Sequence, residues 1–106
     1  MPDNCFSRDS TERLVFEMFR VPSAHHPTLC KEVATAFSLV PDYATFGAGL
    51  DQVFQDYRRG EQLVEMAWDN WTGFVVVAKT TGSESLVREI GEWLLLREQA
   101  ETADRS

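Results

Sequence analysis

The sequence predicts an α+β domain: three N-terminal helices, a β-hairpin and a C-terminal helix packed on the sheet. Three observations point there. Runs 63–68 and 74–79, rich in β-branched and aromatic residues, flank the turn-forming segment Asp69-Asn70-Trp71-Thr72-Gly73. Beyond it, Leu86, Ile90, Trp93 and Leu94 recur at helical spacing over about 84–97. Before residue 60, apolar residues recur every three or four positions between Pro22, Pro27, Pro41 and Gly60, which read as helix boundaries.

The first helix is expected to start at Asp9-Ser10-Thr11-Glu12, with Asp9 as N-cap and Glu12 reaching back. Leu14, Val15, Met18 and Phe19 then share a face, and Val21-Pro22 ends it. A strand competes for 14–21, since LVFEMFRV is β-rich, but its apolar residues do not alternate. The second helix opens on Pro27, whose missing N–H has no partner to lose there, and carries Leu29, Val33, Ala36, Phe37 and Val40 up to Pro41. After Pro41-Asp42 a third helix is expected, with Leu50, Val53, Phe54 and Tyr57 on one face. Gly60 would close it, and Arg58 and Arg59 would complement its negative end.

In the hairpin, Gly73 is the residue that takes a positive φ without steric cost, and Asp69 and Asn70 are suited to bond nearby amides. The last helix has several candidate starts: a capping box of Thr81 with Glu84, or Ser83 or Ser85 as N-cap. Glu84, Arg88 and Glu92 mark its solvated side. Strand 74–79 is unusual. Phe74, Val76 and Ala78 fill one face, but Val75 and Val77 fill the other, so both faces are expected to be covered, by helices on each or by a second copy of the chain. An added strand, from the N-terminal segment or a partner, would protect the exposed edge.

The 106 residues make one domain, 1–106, with ends expected to fray at about 1–7 and 98–106. No apolar run approaches the roughly 20 residues that cross a bilayer, and the N-terminus does not read as a secretory signal, so a cytoplasmic location is expected. Cys5 and Cys30 do not form a disulfide framework and are read as reduced. The net charge is -7, with seven acids against four bases in 1–53 and ten against six in 54–106. Arg58-Arg59 is the one adjacent basic pair, so neither nucleic acid nor membrane is an expected partner.

Few residues suggest chemistry. Glu65 and Asp69 share a strand face, but four residues of strand hold their Cα atoms ~13 Å apart, too far for a paired-carboxylate site. Their ordinary reading is a solvated carboxylate and a turn-forming Asp. His26 and Cys30 are the candidate catalytic residues: i, i+4 on a helix brings them together, and a helix N-terminus with a nearby imidazolium lowers a thiol pKa. The ordinary reading is a small buried Cys beside a capping His. With His25 and Cys5 they do not complete the paired spacing of a zinc site, so no metal and no cofactor is expected. Gly47-Ala48-Gly49 lacks the Lys-Ser or Lys-Thr of a phosphate loop and reads as a flexible helix start.

Trp68, Asp69, Asn70 and Trp71 cluster at the hairpin tip, the composition of a contact hot spot, although Trp68 packing inward and Trp71 capping the core edge is the plainer arrangement. The expected function is therefore a non-catalytic acidic interaction module of inhibitor, immunity or regulatory type. It would bind a basic protein or a second copy of itself through that tip or through Val75 and Val77. The competing expectation is a small thiol-dependent enzyme or small-ligand-binding domain using Cys30 and His26, with Asp69 as a further participant.

Overall fold

A computed structural model, which describes residues 4–18, 21–49 and 52–105, shows a six-stranded antiparallel sheet with two helices on one face. The order along the chain is β1 (Asn4–Arg8), β2 (Leu14–Met18), α1 (His26–Phe37), β3 (Val40–Ala48), β4 (Gln52–Arg59), β5 (Gln62–Asp69), β6 (Gly73–Ala78) and α2 (Glu84–Arg105). In space the strands run β1-β2-β6-β5-β4-β3. The chain thus crosses the sheet through α1, returns strand by strand, and sets β6 beside β2.

Three N-terminal helices are not what forms. Only the second exists, as α1, and the other two segments are hairpins among the described residues. Phe19 and Leu50, counted in the expected helical faces, lie outside those residues, as do 1–3 and 106. In place of a helix start, the Asp9 carboxylate accepts hydrogen bonds from the amides of Thr11 (2.9 Å) and Arg13 (3.0 Å) and from the Thr11 hydroxyl (2.7 Å). A short polar side chain that satisfies nearby amides can favour a turn as readily as a helix. Glu12 takes φ 64°, and the chain reverses into β2. Leu14, Phe16 and Met18 then face the helices, and Asn4–Arg8, which overlaps the end expected to fray at about 1–7, pairs with β2 as β1.

The expected third helix is the β3–β4 hairpin. Between the pairs Asp42↔Asp56 and Gly47↔Phe54 the register slips, so four residues of β3 bulge opposite the single residue Gln55. The Asp42 carboxylate accepts from the Ala44 amide (3.1 Å), while the Thr45 hydroxyl donates to the Asp42 carbonyl (2.8 Å) and accepts from the Asp56 amide (2.9 Å). Gly60 does not cap a helix. It takes φ 60° at the first central position of the two-residue turn into β5, where Arg59 pairs with Gln62.

The expected hairpin and closing helix correspond to β5, β6 and α2, though α2 runs on to Arg105. Gly73 has φ 80°. The α2 start is a short 3-10 turn, Thr81–Ser83, where the buried Ser83 hydroxyl accepts from the Leu63 amide (2.7 Å) and shares a hydrogen bond with Thr80 (2.6 Å). Glu84 pairs with Arg8 of β1 at 2.6 Å rather than with Arg88, which lies over the Phe6 ring. No helix among the described residues is long and apolar enough to cross a membrane.

One continuous core joins both helices to one sheet face. Leu14, Phe16, Tyr57, Val64, Met66, Phe74, Val76 and Ala78 meet Cys30 and Val33 of α1 and Leu86, Val87, Ile90 and Leu94 of α2. The helices also touch each other, with Phe37 edge-on to Trp93 and Arg97 paired with Glu32 at 2.6 Å. Cover on both sides of β6 is therefore not supplied by helices. Val75 and Val77 lie on the far face, half-buried, beside Glu17 and Val15 on one strand and Ala67 and Glu65 on the other.

Candidate ligand-binding cavity

A cavity of about 670 Å³ opens on the helix side, between α1 and the β3–β4 hairpin. Its walls follow from two periodicities. On α1, His26, Pro27, Cys30, Lys31, Ala34 and Thr35 repeat at one, three and four residues, forming a stripe. On β4, Val53, Gln55 and Tyr57 repeat at two, and the bulged β3 contributes Pro41 and Phe46, the latter 55% exposed at the rim. Leu39, from the link between α1 and β3, completes the lining. Its position follows from the helix end: Ser38 takes φ 57°, and the Leu39 amide bonds back to the Ala34 carbonyl at 2.8 Å.

The buried polar groups in this wall are few, and the one charged lining residue, Lys31, is solvent-exposed. Cys30 and His26 are 3% and 6% exposed, with Sγ 3.4 Å from Nε2. Burial pushes the Cys30 thiol up to about 12, against a smaller opposing pull from its hydrogen bond with Tyr57. Burial likewise holds the His26 imidazole below its usual range. The sequence correctly suggests the proximity of these two residues but not its effect. Desolvation disfavours the charged form of each group, so the pair is a neutral thiol against a neutral imidazole rather than a thiolate.

Gln55 is the residue that sequence reasoning missed. It is 9% exposed, and its Nε2 has no hydrogen-bond partner among the described residues. The available signal was a polar side chain between Val53 and Tyr57 at strand spacing, which helical counting conceals.

The other candidate residues do not join this cavity. Glu65 faces away from the helices and pairs with Lys79 at 3.3 Å, whereas Asp69 is spent on its turn. The Asp69 carboxylate accepts from the amides of Trp71 (2.9 Å) and Thr72 (2.6 Å) and from the Thr72 hydroxyl (2.7 Å). Burial raises its pKa, but these hydrogen bonds together outweigh burial and hold it below the usual range.

Within the hairpin, Trp68 faces the helix side and donates from its indole to the Val21 carbonyl at 2.7 Å. Asn70 and Trp71 project at the tip, with Trp71 75% exposed instead of capping the core. Val77 borders a separate polar groove of about 490 Å³ with Asp9, Thr11, Arg13, Glu65 and Lys79, on the face opposite the cavity. No three His, Cys, Asp or Glu side chains converge among the described residues. Comparison with protein-family models, curated proteins and solved structures yields no match to this chain.

Proposed function

We propose that this chain binds a small, largely apolar molecule in the cavity between α1 and the β3–β4 hairpin, and does so without transforming it. The observation that carries this is Gln55: an amide donor nine-tenths buried in the wall of an apolar cavity and without a partner among the described residues. Such a group costs about 1 to 3 kcal/mol if left unsatisfied, and the cavity volume lies within the roughly 300 to 1,000 Å³ typical of ligand pockets. Binding rather than catalysis fits the neutral Cys30–His26 pair, which offers no activated nucleophile. A reducing compartment such as the cytoplasm suits the free, buried Cys30 thiol.

Titration with the neutral fluorophore N-phenyl-1-naphthylamine tests this. Saturable, one-to-one, blue-shifted emission is expected. Ala34→Trp and Val53→Trp, which fill the cavity from opposite walls, should each weaken it at least tenfold with unchanged circular dichroism. Equal binding by all three folded proteins, or none by the wild type, sinks the proposal.

A second role is favoured by Trp71, a large aromatic side chain exposed on a turn fixed by Asp69. Here the tip, with Asn70, contacts a protein partner: a basic protein attracted by the net charge of -7, or a second copy. Sedimentation of wild type and Trp71→Ser checks the self-association arm. A concentration-dependent dimer that the substitution abolishes supports it, and a monomer at all concentrations excludes it.

A further inference from the structure

We infer that the molecule held in this cavity is an uncharged apolar compound carrying an oxygen acceptor, which takes its hydrogen bond from Nε2 of Gln55. The inference rests on the cavity being a ligand site, and adds to it the chemical class of the ligand.

The acceptor follows from Gln55. Its side chain lies between Val53 and Tyr57 on the face of β4 turned toward α1, and Nε2 is unpartnered among the described residues. A ligand that fills this space without an acceptor keeps the donor both dry and unpaired. A carbonyl or ether oxygen that meets Nε2 once the Gln55 amide turns toward the cavity removes that penalty, so the site rejects a shape-matched hydrocarbon.

Lack of charge follows from the rest of the wall. The buried polar groups that line the cavity are Gln55, Tyr57, Cys30 and His26, and burial holds the last two in their neutral forms. Lys31 is the one cationic lining group, and it is solvent-exposed, so its ammonium keeps its water while the long stem lines the wall. A carboxylate brought to Gln55 would shed its water without gaining a counter-charge. The remaining lining, with Ala34, Leu39, Pro41, Val53 and Phe46, is apolar and suits a hydrocarbon body.

Three nearly isosteric probes separate these features: 2-acetonaphthone, 2-ethylnaphthalene and 2-naphthoate, each competing with N-phenyl-1-naphthylamine. The ketone is expected to bind about tenfold more tightly than the hydrocarbon, with the carboxylate weakest. Gln55→Met keeps side-chain length without the donor, and Gln55→Leu removes the polar group altogether. Either, if folded, should erase the ketone preference and raise hydrocarbon affinity. The carbonyl stretch of bound 2-acetonaphthone should lie below its value in hexane for the wild type and return to it in Gln55→Met. The inference is overturned if the wild type binds ketone and hydrocarbon equally, if Gln55→Met keeps the preference, or if 2-naphthoate binds tightest and loses affinity in Lys31→Met. In each of those cases N-phenyl-1-naphthylamine still binds, so the cavity as a ligand site stands; loss of that binding instead removes the site itself.

Discussion

Sγ of Cys30 and Nε2 of His26 lie 3.4 Å apart, one turn from each other on α1, and the contact joins two neutral groups. Cys30 is accordingly expected to resist alkylation. In a Cys5→Ser background, iodoacetamide at pH 8 should leave the folded protein unmodified and label it once urea unfolds it; labelling at the rate of a free thiol in the folded state would contradict this. Linkage gives the alkaline limb. Because the folded thiol titrates near 12 and the unfolded one near 9, its contribution is complete below pH 9 and is lost as the pH rises toward 12. Urea titrations of Cys30→Ala should lack that part of the decline.

On the acid side His26 acts with the opposite sign. Its folded pKa is depressed by burial, so the unfolded chain takes up the proton first, and stability falls as the pH drops below about 6.5. His26→Phe, placed against Phe74 with ring centroids now 5.7 Å apart, removes the titration while keeping an aromatic ring there. The difference in midpoint between wild type and variant should therefore change between pH 7 and pH 5.

Ser83 is fully buried where β5, the β6–α2 link and α2 converge, and its hydroxyl is the acceptor for the Leu63 amide. Ser83→Ala leaves that amide and the Thr80 hydroxyl without this partner. A loss of about 1 to 3 kcal/mol in urea unfolding is expected, with early amide exchange at Leu63 as its local signature.

Segments legible in the sequence are those whose apolar period survives folding unmixed. On β6, Phe74, Val76 and Ala78 take the core face, and α1 and α2 bury residues one turn apart. The missed strands each mix two faces. In β2, Leu14 and Phe16 enter the core while Val15, between Ser7 and Val77, is buried on the far face, so no alternation appears. In β4, Val53, Phe54 and Tyr57 have helical spacing, yet Val53 and Tyr57 face the cavity and Phe54 lies on the other side, its ring over Gly47. A Cβ on Gly47 would stand 2.4 Å from that ring, a cross-strand fit set by tertiary contact. The cavity was half legible: i, i+4 spacing suggests His26 beside Cys30, whereas Gln55 needs the correct strand assignment first.

Trp71 should account for most iodide-accessible tryptophan fluorescence, since Trp68 is tied to the Val21 carbonyl and Trp93 packs on Phe37 beneath Arg97. Trp71→Phe is expected to cut the quenchable fraction by more than half. An unchanged quenching curve would mean that the indole is shielded in solution, as a dimer through the tip would shield it.

Gly91 sets a small gain against a larger loss. Within α2 it is buried, and a Cβ there would lie 2.5 Å from Cζ of Phe6 and 2.8 Å from Cδ1 of Phe16. In an exposed helix, replacing Gly by Ala stabilises by about 1 kcal/mol. Overpacking a filled interior costs about 1 to 3 kcal/mol, and Phe16, with no exposed surface and its ring tilted against Phe6 at 5.0 Å, has little room to move. Gly91→Ala is therefore expected to lower the urea midpoint despite its better helix propensity. Because the ring of Phe6 is the nearer obstacle, Gly91→Ala combined with Phe6→Leu should lose less than the two single losses added together, a coupling readable from a double-mutant cycle. Strict additivity would place β1 too far from α2 for the close approach that Gly91 permits.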